Sequence, residues 1–244
     1  MSCARTHYVP EPVDTAGGAE EPTPYSFILA FPECSPTSSI NLGICDASWA
    51  SAYANVLSMR RCRLGLGYQQ LSVQYLVDCL DGCYGSDTRM SVAFLRTHGV
   101  PAAACVTYTS GSTGLSHPCP TTCDDGSALL PFRIADAHVL SGNSTRIIEE
   151  LLSHGPVYAE LHVYTDFVAY KQGVYSRTTT QYVGREAVAI VGFGFDETWH
   201  QPYWLVLTSR GQDWGEGGYV RIVRGRNECG IESTVIAIDP VIES

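Results

Sequence analysis

The feature that most constrains this chain is a change of hydrophobic period near its middle. Before about residue 107 the apolar residues recur at helical spacing. Trp49, Tyr53, Val56 and Leu57 follow it between Ala47 and Arg60, and the stretches Leu71 to Leu80 and Ser91 to His98 repeat it. After a turn-rich passage from Thr107 to Ser127 the pattern becomes that of strands: PVYAELHVY, EAVAIVGFGF, YWLVLTS, GYVRIVRG and TVIAI, opened by one helix from Ser144 to His154. Helices grouped first and strands second predict an α+β protein of two lobes, residues 41–126 and 127–240, and two-lobed proteins tend to bind ligands at the seam. Residues 1–26, rich in Pro, Gly, Glu and Thr, read as an exposed arm, so the folded domain spans 27–240.

Charge narrows the partners. The formal net charge of -10 and a sequence pI near 5.0 repel a phosphate backbone or an anionic lipid face. Nucleic acid and membrane insertion are therefore not expected, and the apolar stretch LLPFRIADAHVL is too short and too charged to span a bilayer. A protein or peptide is the expected partner. Nothing in the sequence asks for a cofactor or a metal.

Ten cysteines suit an oxidising compartment, secretory, vesicular or extracellular. Residues 1–27 hold no apolar run of signal-peptide length, which points instead to the cytosol, and the two indications conflict. Asn143-Ser144-Thr145 is a glycosylation sequon that matters only on the secretory route.

Four separate segments carry a family resemblance: NLGICDASWA from Asn41 to Ala50, LSVQYLVDC ahead of GCYGS, NECGIES from Asn227 to Ser233, and YWLVLTSRGQDWGEGGYVRI from Tyr203 to Ile222. On these the chain resembles the papain-family cysteine peptidases, nearest to the cathepsin B-like members, over about residues 27–239. The resemblance implies a helical left lobe and a β-barrel right lobe with a peptide cleft between them. It places four catalytic roles on Leu42, Ser48, Glu186 and Thr208, none of which is the residue type the family uses there.

Each difference has a chemical consequence. A serine hydroxyl is almost wholly protonated at neutral pH and needs a base more than a thiol does. A carboxylate such as Glu186, with an ordinary pKa near ~4.3, is a weak base for that task. Thr208 has no imidazole to orient, and Leu42 supplies no donor to an oxyanion, a loss worth roughly a hundred- to a thousandfold in rate. Arg210 stands where the family has a shielding tryptophan; it either pairs with Glu186 and fills the site or, like Glu186, faces solvent. Of the seven histidines, His162 alone falls on a strand near the implied cleft. The expectation from these residues is a chain without enzymatic activity, a pseudoprotease that holds a peptide or protein or serves as a structural component of a larger intracellular assembly. The alternative is a weak serine-type hydrolase using Ser48.

The resemblance also implies a frame. Cys34 pairs with Cys62, Cys45 with Cys83, Cys79 with Cys119 and Cys105 with Cys123, leaving Cys3 and Cys229 free. Spacing alone allows roughly a hundred pairings of eight cysteines, and eight buried thiols remain the other reading. Tyr84, Gly85 and Ser86 line the implied cleft, where Ser86 narrows a place the family keeps as glycine. Thr234 replaces an acid at the base of the specificity pocket, so a preference for basic side chains is not expected. The segment from Cys105 to Cys119 is too short for the occluding loop of cathepsin B.

Overall fold

The computed structural model describes residues 22–80 and 82–242. Helices α1 (Phe27–Ala30), α2 (Ser48–Arg61), α3 (Val73–Cys79), α4 (Thr88–Thr97) and α5 (Ser110–Thr113) precede α6 (Ser144–Ser153) and α7 (Thr165–Val168). The strands are β1 (Tyr25–Ser26), β2 (Ile134–Val139), β3 (Val157–Tyr164), β4 (Val174–Tyr175), β5 (Tyr182–Asp196), β6 (Gln201–Leu207), β7 (Tyr219–Val223) and β8 (Val235–Pro240). The arm up to residue 21 lies outside the described residues. Tyr25 and Ser26 belong to the sheet, paired with Phe193 and Gly192. Gly192 is needed there, because a side chain would collide with the Tyr25 carbonyl oxygen.

The strands form one sheet in the order β2-β8-β3-β5-β6-β7-β4, antiparallel except for β4 against β7, with β1 added on β5. The expectation of a closed β-barrel is corrected on this point: among the described residues the ends, β2 and β4, do not pair. The α+β, papain-like arrangement stands. Strand β2 comes from the stretch read in sequence only as a short apolar run. Its side chains are mostly exposed, and it is held by pairing to β8 rather than by a buried face.

Helix α2 is buried nearly all round, with Trp49, Tyr53, Val56, Leu57 and Met59 at 4% exposure or less. A helix without a polar face belongs in the centre of a protein, and α2 packs against α3 on one side and β3, β5 and β8 on the other. Tyr53 stacks on Tyr158 of β3 at 4.1 Å. The two lobes are further tied by Arg60, 1% exposed. It donates from Nε to Pro156 O (2.6 Å), from Nη1 to Asp239 Oδ1 (3.1 Å) and from Nη2 to Glu150 Oε1 (2.7 Å). Bridges Cys34–Cys62, Cys45–Cys83, Cys79–Cys119 and Cys105–Cys123 are all formed. Cys34, Cys62, Cys45 and Cys83 lie within the buried core, while Cys105–Cys123 closes a mostly exposed loop with little core of its own.

Candidate active-site groove

The groove begins where α2 meets β5. Ala47 gives α2 no side-chain cap, and the first residue of the helix, Ser48, meets β5 across the seam. The preceding loop is pinned on both sides. Leu42 donates its N–H to Ser209 O, Asn41 bridges to Arg210, Asp46 donates its N–H to Cys83 O, and the Cys45–Cys83 bond ties the loop to the wall that carries Tyr84. Gly43 sits at φ +63° with no room for a side chain against Gly111, whose carbonyl accepts the Ile44 N–H at 2.9 Å.

Two cavities, of about 660 and 460 Å³, meet at Asp46, Ser48, Arg185 and Glu186. The larger is lined on one side by Tyr84, Gly85, Ser86 and Asp87 and on the other by Tyr158 and Glu160; the smaller by Leu42, Val163, Arg210 and Trp214. The Ser48 hydroxyl oxygen accepts the Ala187 N–H at 3.1 Å across the seam, which leaves its own proton free to be donated.

Glu186, 7% exposed, is held at one oxygen only. Arg210 donates from Nε (2.8 Å) and Nη2 (2.6 Å) to Oε2, while Oε1 is buried with no hydrogen-bond partner among the described residues. Burial pushes the Glu186 carboxyl above the usual carboxylate range, against the lowering effect of the Arg210 guanidinium. Burial also raises the Asp46 carboxyl. Arg210 is fixed in turn by the faces of Trp214 and Phe167, 5.3 and 5.5 Å from its guanidinium carbon.

Leu42, Ser48, Glu186 and Arg210 are thus brought to one groove. Thr208 is not in its lining: it is 1% exposed and its hydroxyl donates to Gly218 O at 2.9 Å. His162 is exposed on β3, edge-on to Tyr182, and none of the described histidines lines either cavity. Thr234 lies beside the groove in a recess of about 50 Å³ shared with Glu160, His162 and Arg185. The Ser86 hydroxyl lies 2.8 Å from that of Ser91 on α4.

Asn143 is exposed, and its side-chain oxygen caps α6 by accepting the Arg146 N–H. Cys229 is buried, and burial pushes its thiol well up; Cys3 lies outside the described residues. No cysteine among the described lining residues is free.

Sequence reasoning passed over Asp46, Asp87, Glu160, Arg185 and Trp214. Asp46 and Trp214 lie inside the motifs already quoted and could have been weighed there. Glu160 and Arg185 reach the groove only through the β3–β5 register, which sets Glu160 opposite Ala187 and His162 opposite Arg185.

Among the described residues no helix is long and apolar enough to cross a membrane. The four disulfides are consistent with a secretory or lysosomal type of compartment.

The chain matches the papain family cysteine protease model over residues 28–238. It is 38% identical to cathepsin B-like CP3 of Giardia intestinalis over 231 residues, 92% of this chain and 77% of that protein. It is 35% identical to cathepsin B-like CP1 of the same organism over 89% of this chain and 73% of that protein. The solved structure of proCathepsin B S9 from Trypanosoma congolense superposes with a TM-score of 0.84 at 30% identity, covering 91% of this chain and 79% of that one. The expectation of a chain that is not an enzyme is corrected by these matches, since a protease family and relatives at 35–38% identity point to a peptidase. The chain belongs to the papain family of cysteine proteases and is cathepsin B-like.

Proposed function

We propose that this protein binds an extended polypeptide in the groove and cleaves it as a serine-type member of its family. The observation that carries this reading is the junction of the two cavities. There Ser48, whose proton has no acceptor among the described residues, lines the same space as Glu186, whose Oε1 is buried with no hydrogen-bond partner among them; the two are not hydrogen-bonded in this structure, and such a contact tightens on substrate binding.

In the proposed reaction the Ser48 oxygen attacks the peptide carbonyl while its proton passes to Glu186. The C–N bond then breaks with that proton going to the leaving amine, and water hydrolyses the acyl-serine. Burial makes Glu186 a better proton acceptor near neutral pH than an exposed carboxylate, and Arg210 holds it in place. Leu42 gives no donor to the oxyanion, so turnover is slow, roughly a hundredfold or more below that of a relative with a full oxyanion hole.

The test is cleavage of a peptide mixture followed by mass spectrometry, for the wild type, for Ser48→Ala and for wild type treated with a thiol alkylator. Slow cleavage that survives alkylation and disappears in Ser48→Ala supports the reading. Cleavage unchanged in Ser48→Ala, or none at stoichiometric enzyme, overturns it.

A further inference from the structure

We propose that Glu160, seconded by Asp87, makes the larger cavity select a cationic side chain, lysine or arginine, of the bound polypeptide. This deepens the peptide-groove reading and rests on it. Glu160 is half-buried on β3 and anchored at one oxygen, where Oε1 accepts the hydroxyls of Tyr158 (3.0 Å) and Thr88 (3.1 Å). Those bonds fix the carboxylate in the wall and leave Oε2 without a described partner. Asp87 is arranged alike: Oδ1 caps α4 by accepting the N–H groups of Arg89 and Met90, and Oδ2 accepts no hydrogen bond among the described residues.

The charges lining this cavity decide the sign of the selection. Glu186 is already neutralised by Arg210, which leaves, among the described lining residues, Asp46, Asp87 and Glu160 against Arg185 alone. Arg185 is exposed on the rim and forms no ion pair with any of the three among the described residues. The rest of the wall suits a long side chain with a charged end. Trp49, Met90, Tyr158 and Tyr182 offer apolar surface to an aliphatic stem, and the preorganised carboxylates receive the head. Thr234 removes an acid from the adjoining recess, yet Glu160 lines that same recess and supplies one from the neighbouring strand. Under this proposal Glu160 supplies the preference for basic side chains that is not expected from Thr234 alone.

The experiment measures equilibrium binding of fluorescent peptides to the Ser48→Ala protein, so that no turnover is needed. The peptides are identical except that arginine, methionine or glutamate is placed at each position in turn. At one position arginine is expected to bind about tenfold tighter than methionine, and glutamate more weakly than both. Rising salt should shrink the ratio. Glu160→Gln keeps the shape and both hydroxyl contacts and should bring the arginine-to-methionine ratio to about twofold or less while the methionine peptide binds as before. Asp87→Asn, which still caps α4, should lower the ratio by a smaller factor. An unchanged ratio in both variants, no charge preference, or a preference for glutamate governed by Arg185 overturns the inference and leaves the groove reading intact. Failure of every peptide to bind overturns the groove reading itself.

Discussion

Arg210 grips a single oxygen of Glu186 through two nitrogens, Nε at 2.8 Å and Nη2 at 2.6 Å, and leaves the other oxygen buried with no partner among the described residues. Breaking such a pair from one side strands a buried charge. Arg210→Met should therefore lower unfolding free energy by about 3 kcal/mol in urea titrations at neutral pH. The double variant Arg210→Met with Glu186→Gln should recover most of that loss. A double variant as unstable as the single one would mean that packing of Arg210 on Trp214 and Phe167, rather than charge, holds the region.

The raised Glu186 carboxyl sets the sign of a pH effect. The folded state binds this proton more tightly than the unfolded chain does, so the Glu186 contribution favours folding at low pH. It diminishes as pH rises from the usual carboxylate range through the raised folded value. Glu186→Gln should remove that part of the slope from a stability-against-pH profile; an identical slope in the variant contradicts the assignment.

Arg60 joins α2 to the sheet lobe through carbonyl and carboxylate acceptors at once. Arg60→Met should cost about 3 to 5 kcal/mol, because Glu150 loses its guanidinium partner in a nearly closed site and keeps only the exposed His154 ring at 3.3 Å. Arg60→Lys should recover little, since a single ammonium cannot meet Pro156, Glu150 and Asp239 together. Chemical denaturation of the three proteins tests both statements.

Thiol mapping checks the frame. Alkylation of the native protein should leave Cys229 unmodified, because it is buried and burial holds its thiol protonated. Unfolding without reductant should expose Cys229, and only reduction should release Cys34, Cys45, Cys62, Cys79, Cys83, Cys105, Cys119 and Cys123. Labelling of any of these eight before reduction contradicts the bridges.

Leu42→Gln places an amide donor in the groove beside Ser48. Under the serine-type reading it should raise Ser48-dependent cleavage by about a hundredfold, seen in kcat more than in KM. A rise in affinity without a rise in kcat would show that the new amide meets the ground state instead.

The sequence by itself determined the class of fold and the placing of its elements. Hydrophobic period is a local property, so α2, α6 and the runs that became β3, β5, β6, β7 and β8 were legible before any contact was known. Ser48 and Glu186, which line the groove, were legible as candidates because they lie in or beside recognisable segments. Strand β2 was not, since an exposed strand held by β8 carries little apolar signal. The tertiary structure decided what those residues do to one another. It opened the sheet instead of closing a barrel, turned Thr208 away toward Gly218, and joined Arg210 to Glu186. It also carried Glu160 to the groove across the β3–β5 register. These are contacts between residues far apart in the chain, set by packing and strand register, and neither composition nor local spacing encodes them.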